Sequence, residues 1–224
     1  MTHFYLIRHG QASFGQSNYD KLSYLGHQQS RWLGTYFKER HIQFDHIMQG
    51  TLTRHSETVS GILEGVGHAL PVTTHADLDE FDFATLMRAY IDFDKSYSFP
   101  QNAAPKDYFR LLRTAMHAWA GNHLDKHHSG ENWQAFESRT QRALSDLCRS
   151  EHKQVLVVTS GGVIGMILKH ILLAEAATAV SLNLQIKNAS ITQCIAGKNN
   201  VYMSSFNGVP HLDKDGREHA ITYS

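Results

Sequence analysis

The sequence predicts an α/β fold built on a parallel sheet, and three observations carry that prediction. Short apolar, β-branched runs alternate with longer segments whose apolar residues recur at helical spacing, which is the rhythm of strand–helix–strand units. One run, from Gln154 to Thr159, is the most apolar and most β-branched in the chain and reads as a central strand. The 224 residues, 42% hydrophobic and 19% charged, suffice for one globular domain with a sizeable core.

Taken in order, residues 2–7 form the first strand, an aromatic and β-branched run cut off by Gly10, with Arg8 and His9 at its carboxyl end. Ser23 is a good N-cap, and Leu25, Trp32, Leu33, Tyr36 and Phe37 share one face, so a helix is expected over 23–40. Residues 45–49 read as a second strand closed by Gly50. Leu52, Val59, Ile62, Leu63 and Val66 give a helical stripe over 51–66, and 71–74 is a third strand. The rhythm breaks between Leu78 and Gly130, where helical pieces around 86–90 and 107–122 flank a loop with Pro100, Asn102 and Pro105. This insertion, about residues 81–129, is expected to fold over the sheet as a substrate lid. Trp133, Phe136, Ala143, Leu144 and Leu147 mark a helix over 131–149. Residues 163–173 are apolar nearly all round and read as a buried helix. Residues 190–196 and 201–206 are two strands about the turn Gly197-Lys198-Asn199-Asn200, and the polar tail, about 213–224, is expected to fray.

Lys plus Arg and Asp plus Glu number 21 each, so no charge bias points to nucleic acid or an anionic membrane as partner. No apolar run approaches the roughly 20 residues of a membrane span. The N-terminus shows no basic-then-apolar leader, and Cys148 and Cys194 form no CxxC; a cytoplasmic protein with buried thiols is the expectation. His123 and His127 lie one helical turn apart with His128 adjacent, but no third ligand of matching spacing accompanies them, and no metal or cofactor is expected. The chain has no P-loop and no G-x-G-x-x-G.

Four stretches carry chemistry. Arg8-His9-Gly10 delivers a fixed cation and an imidazole to the carboxyl end of a strand, where ligands bind in open α/β sheets. Arg54 falls in the first turn of the second helix, a place that favours anions; a cation there makes sense if an anion sits between them, the alternative being a solvated surface charge. Glu80 stands between Leu78 and Phe81, an apolar setting that raises a carboxyl's pKa and suits it to donate a proton, with Asp79 and Asp82 as competitors. Thr159-Ser160-Gly161-Gly162 ends the central strand in small residues ahead of a helix, leaving backbone N–H groups for an oxyanion. The turn at Ser160 is also similar to a nucleophile elbow, though Val158 stands where that motif needs its first glycine.

These stretches, in this order, resemble the histidine phosphatase superfamily, the phosphoglycerate-mutase-like family. Leu6-Ile7-Arg8-His9-Gly10 matches its signature strand end, and Leu52-x-Arg54-x-x-Glu57-Thr58 matches Leu-x-Arg-Ala-x-Gln-Thr, with His55 for Ala and Glu57 for Gln. Leu78-x-Glu80 matches the acid motif; Gly130-Glu131 and Asn188-Ala189-Ser190-Ile191-Thr192 are also similar, so the resemblance spans residues 2–212. Two further positions depart from the pattern. Ser160 replaces the second histidine of Ser-His-Gly-Gly, and Gly15 stands where many members carry a phosphate-contacting Asn.

The resemblance implies a three-layer α/β/α sandwich with a mostly parallel central sheet, helices on both faces and a helical lid. It also implies phosphoryl transfer from a small phosphorylated substrate through a phosphohistidine. His9 would be the nucleophile, kept neutral by Arg8; Arg8, Arg54 and Ser160 would bind phosphate, and Glu80 would be the proton donor. A phosphatase is favoured over a mutase, because mutases carry a C-terminal segment over the site that the sequence does not announce. The alternatives are a mutase-type phosphotransferase, a catalytically weak phospholigand-binding protein and a serine hydrolase. A homodimer is left open. Ser160→Ala is expected to cost about 5- to 30-fold in rate, and Ser160→His nothing.

Overall fold

The computed structural model describes residues 1–13, 20–97, 105–127, 130–198 and 200–223. In chain order the elements are β1 (Thr2–Arg8), α1 (Tyr24–Glu39), β2 (His46–Gln49), α2 (Thr53–Val66), β3 (Val72–Thr74), α3 (Phe83–Phe93) and α4 (Pro105–Ala120). They continue with α5 (Trp133–Cys148), β4 (Gln154–Thr159), α6 (Gly161–Leu172), α7 (Ala176–Asn183), β5 (Ile191–Ala196) and β6 (Val201–Gly208). Among the described residues the strands make one six-stranded sheet in the order β3-β2-β4-β1-β5-β6. β3, β2, β4 and β1 are parallel, whereas β5 and β6 join antiparallel at one edge, so the sheet is mixed.

Side-chain alternation along the two central strands explains the layers. Phe4 and Leu6 of β1 and Val155 and Val157 of β4 enter one core, with Trp119, Trp133, Phe136, Ile164 and Ile167. Ile7, Leu156 and Val158 enter the other, with Leu33, Phe37, Val59 and Ile62. α1 and α2 therefore cover one face and α3 to α7 the other, and each fully buried Leu, Ile or Phe contributes about 1.5–3 kcal/mol. Central β4 lies between β2 and β1, as its unbroken apolar run predicts. Ser23 caps α1 as expected, its Oγ accepting the Gly26 N–H at 3.0 Å.

The insertion is rooted in this core. Leu86, Met87 and Tyr90 of α3 and Leu111, Ala115, Met116 and Trp119 of α4 belong to the first cluster. The loop expected at Pro100 and Asn102 lies outside the described residues, whereas Pro105, expected in that loop, instead opens α4, a helix start that tolerates proline. α7 was not anticipated: its sequence is nearly uniform in polarity, so no helical stripe marks it.

The tail does not fray as expected. Gln29 Nε2 donates to Ala220 O at 2.7 Å, and Asn188 N donates to Thr222 O at 2.9 Å. Leu212 and Ala220 are buried beside Leu25 and Trp32, and the Arg217 guanidinium lies 4.4 Å from the Trp32 ring centre. The buried Gln29 side chain and the backbone N–H of buried Asn188 thus take up two of the tail's carbonyls, a pairing that composition does not reveal. Among the described residues no helix is long and apolar enough to cross a membrane.

Candidate active site

Parallel pairing sets Arg8 level with Thr159, so the carboxyl ends of β1 and β4 meet and carry His9 beside Ser160. His9 is 4% exposed. Its Nδ1 lies 2.7 Å from Gly10 O; a carbonyl can only accept, so Nδ1 holds the proton and Nε2 keeps its lone pair. Arg54 Nε donates to that Nε2 at 3.2 Å. Burial, then Arg54, Arg8 and His55, hold the imidazole well below the usual histidine pKa, so it is neutral. From behind, Ala189 N and Asn188 Nδ2 donate to His9 O at 3.2 and 3.3 Å, which gives the segment 188–192 its place in the site.

Arg54, in the first turn of α2, is buried and pairs through Nη1 with Asp20 Oδ1 at 2.8 Å. The other Asp20 oxygen accepts the Thr53 N–H at 2.9 Å. The anion expected at this helix N-terminus is therefore supplied here by the protein's own carboxylate. Burial raises the Asp20 pKa, but the Thr53 bonds and Arg54 outweigh it and hold the carboxyl low. Arg8 donates through Nη1 to Ile186 O and, at 2.7 Å, to Tyr223 O. A C-terminal segment thus does reach the site, contrary to the expectation drawn in comparison with mutases.

Glu80 Oε2 accepts the Gly162 N–H at 3.0 Å. Burial raises its pKa, against the lowering effects of that bond and of Arg54, Arg8 and Arg139. A Cβ on Gly162 would come 2.2 Å from Oε1, so glycine is what lets the carboxyl settle on the start of α6. One of the backbone N–H groups expected to serve an outside oxyanion, that of Gly162, is therefore already bonded to Glu80. Both competitors have structural tasks: Asp79 accepts from Thr51 N and Oγ1, and Asp82 caps α3 through Ala84 N and Thr85 N. The strap bearing Glu80 is pinned by Arg139 of α5, which donates to Asp77 O at 3.0 Å and Asp79 O at 2.6 Å and grips Glu131 bidentately.

Ser160 has no exposed surface, and its Oγ lies 2.8 Å from His55 Nε2. His55 is also fully buried, its pKa lowered to about 3 by burial and then Arg54. Sequence reasoning noted His55 only as a departure from the family pattern; no periodicity signals a polar residue on the buried side of α2. Asp20 and Arg139 were likewise missed. Gly15 and His128 lie outside the described residues. His123 and His127 flank the Phe93 ring, and among the described residues no group of three His, Cys, Asp or Glu could hold a metal.

A buried neutral imidazole with two arginines at the carboxyl end of a sheet is an arrangement suited to phosphoryl chemistry. The model of the histidine phosphatase superfamily (branch 1) matches residues 4–208, and the chain belongs to this superfamily. No curated protein matches the chain. Solved structures share its fold. A phosphoserine phosphatase from Entamoeba histolytica is 20% identical, with a TM-score of 0.65 over 95% of this chain and 100% of that one. The α-ribazole phosphatase of Shigella flexneri is 20% identical, with a TM-score of 0.65 over 93% and 97%. A phosphoglycerate mutase from Bacillus anthracis is 18% identical, with a TM-score of 0.66 over 94% of each chain.

Proposed function

We propose that the protein hydrolyses small phosphomonoesters through a phosphohistidine on His9. The observation that carries this reading is the His9 tautomer: Nδ1–H is tied to Gly10 O, and the Nε2 lone pair faces the Arg54 guanidinium. Nε2 attacks phosphorus and the ester P–O bond breaks. Glu80, its carboxyl protonated, gives its proton to the leaving oxygen. Water then attacks phospho-His9, Glu80 takes the water's proton, and phosphate leaves with His9 neutral again. Arg8 and Arg54 offset the charge on the equatorial oxygens, with planar donor forks suited to the task. The helical insertion, about residues 81–129, serves as the roof that selects the substrate. The two phosphatases named above, which share this architecture, support water as the final acceptor.

Turnover of a phosphomonoester panel in chelator-containing buffer, with trapping of an acid-labile label from a labelled donor, tests the reading. Label without phosphate release, and transfer to a second alcohol, would make the protein a mutase-type phosphotransferase. Binding without label would make it a phospholigand-binding protein.

One observation favours a second reading. Ser160, His55 and Asp79 lie in sequence across the site, with Oγ–Nε2 at 2.8 Å and Nδ1–Oδ1 at 3.8 Å, an order familiar from serine hydrolases. Full burial of Ser160 and the use of Gly162 N–H by Glu80 count against it, since a nucleophile needs access and an oxyanion needs donors. Acyl-ester hydrolysis that disappears in Ser160→Ala would establish it instead.

A further inference from the structure

We propose that His55, locked by Ser160, is a positioning residue that holds the His9 imidazole in its attacking orientation. The inference rests on the reading of His9 as nucleophile. Its starting point is a problem in the geometry. Two hydrogen bonds orient the His9 ring, one from Nδ1 to Gly10 O and one from Arg54 Nε to Nε2. The second must break when Nε2 turns its lone pair to phosphorus. At that moment one hydrogen bond and the ring's packing remain.

His55 contributes to that packing. Its ring centre lies 5.7 Å from that of His9, tilted by 42°, and neither residue has room to move: His55 is fully buried. His55 is itself held by one hydrogen bond, at Nε2, while Nδ1 makes none among the described residues. Nε2 bonds Ser160 Oγ at 2.8 Å, and Nδ1 faces Asp79 Oδ1 at 3.8 Å. The Asp79 charge favours the proton on Nδ1, so Nε2 accepts the Ser160 hydroxyl proton. That hydroxyl is then committed to His55 rather than to the phosphoryl group. Gly50 forms the last wall: a Cβ there would come 2.2 Å from His55 Nδ1 and 2.5 Å from Asp79 Oδ1. The chain of contacts runs from Ser160 through His55 to His9, and its two departures from the family pattern, His55 and Ser160, touch each other.

This corrects the expectation that Ser160→His is harmless. With no exposed surface and a 2.8 Å contact to His55, position 160 cannot take a second imidazole while His55 stays. The pair must change together.

The experiment combines kinetics with imidazole 15N spectra of wild type, Ser160→Ala, His55→Gln, the double variant of these two, Ser160→His, and His55→Ala/Ser160→His. Inorganic phosphate affinity is measured alongside. We expect kcat to fall about 10- to 100-fold in Ser160→Ala and His55→Gln, while KM and phosphate affinity stay within about 2-fold, because position rather than binding is lost. The double variant should be no worse than His55→Gln, and His9 should lose its single Nδ1–H tautomer in all three. Ser160→His should be poor and His55→Ala/Ser160→His better. Additive losses, a change in KM alone, or an unaltered His9 spectrum would overturn the proposal. If His55→Gln does not fold, Ser160→Ala, which deletes one oxygen, decides alone. If wild type turns over no phosphomonoester, the functional reading fails, and the spectra still decide whether His55 and Ser160 orient His9.

Discussion

Asp20 and Arg54 form an ion pair at 2.8 Å beside the His9 imidazole, while Asp20 also caps the first turn of α2 through Thr53 N at 2.9 Å. A phosphoryl group approaching Arg54 must share the guanidinium with this carboxylate and is repelled by it. Asp20→Asn keeps an acceptor for Thr53 and removes the charge. Inorganic phosphate should bind about 2- to 5-fold tighter in this variant, an effect that shrinks at high salt. Calorimetric titration checks it; weaker binding would show that Asp20 orients Arg54 more than it competes.

His9→Ala should abolish turnover, by about 10,000-fold or more, and leave thermal stability close to wild type. The side chain is a neutral imidazole held by few bonds, so its loss costs little folding energy. Residual phosphatase activity near the wild-type level would end the phosphohistidine mechanism.

Glu80→Gln should harm esters of poor leaving groups most and nitrophenyl phosphate least, since only the former need a proton. Arg139→Ala should imitate it more weakly, because Arg139 holds the Asp77 and Asp79 carbonyls that precede Glu80. It should also cost about 1–3 kcal/mol of stability through its lost bonds. Comparing kcat for the two leaving-group classes, with a urea titration, tests both; equal losses on both classes would remove Glu80 from the acid role.

Stability should fall as pH drops from about 6.5 towards 3. His55 and His211 are fully buried, and burial is the main cause lowering each to about 3. His9 is held well below its usual value, and His46 and His170 are also lowered, in each case chiefly by burial. The unfolded chain therefore binds protons that the fold refuses, and this stability is fully present above the unfolded histidine pKa. Each of the two deepest groups accounts for at most about 2 kcal/mol at pH 5. Glu80, raised by burial, acts in the opposite direction as pH falls from its raised value to the ordinary carboxylate value, and adds nothing further below that. Neither ring nitrogen of His211 has a hydrogen-bond partner among the described residues. His211→Phe should therefore flatten the acid limb, which urea midpoints at pH 7.5 and 5.0 would show.

Much of this architecture was legible before any coordinates. Alternation in residues 2–7 and 154–159 marks the two central strands, because each face of the sheet demands its own apolar set. His9, Arg8, Arg54 and Glu80 were legible because each occupies a strand or helix end whose position follows from local pattern. Other features were not. α7 lacks polar contrast; Asp20 is brought to Arg54 by tertiary folding; and His55 reads like any polar helix residue until α2 turns it inward against Ser160. The fate of Ser160 depends on that neighbour, so its role could not be read from its own position.

The pairing of β1 with β4 has a kinetic consequence. The Thr2 hydroxyl bonds His152 O, 150 residues away, and His3 pairs with Gln154 in the same ladder. Closing so long a loop is entropically slow, and contacts of this range make folding late and cooperative. His9 and Ser160 meet only when that ladder is complete, so partly folded chains with native helices already formed hold no assembled candidate site. Recovery of activity on refolding should lag recovery of helical circular dichroism, and ligands such as phosphate should select the finished chain rather than guide its assembly.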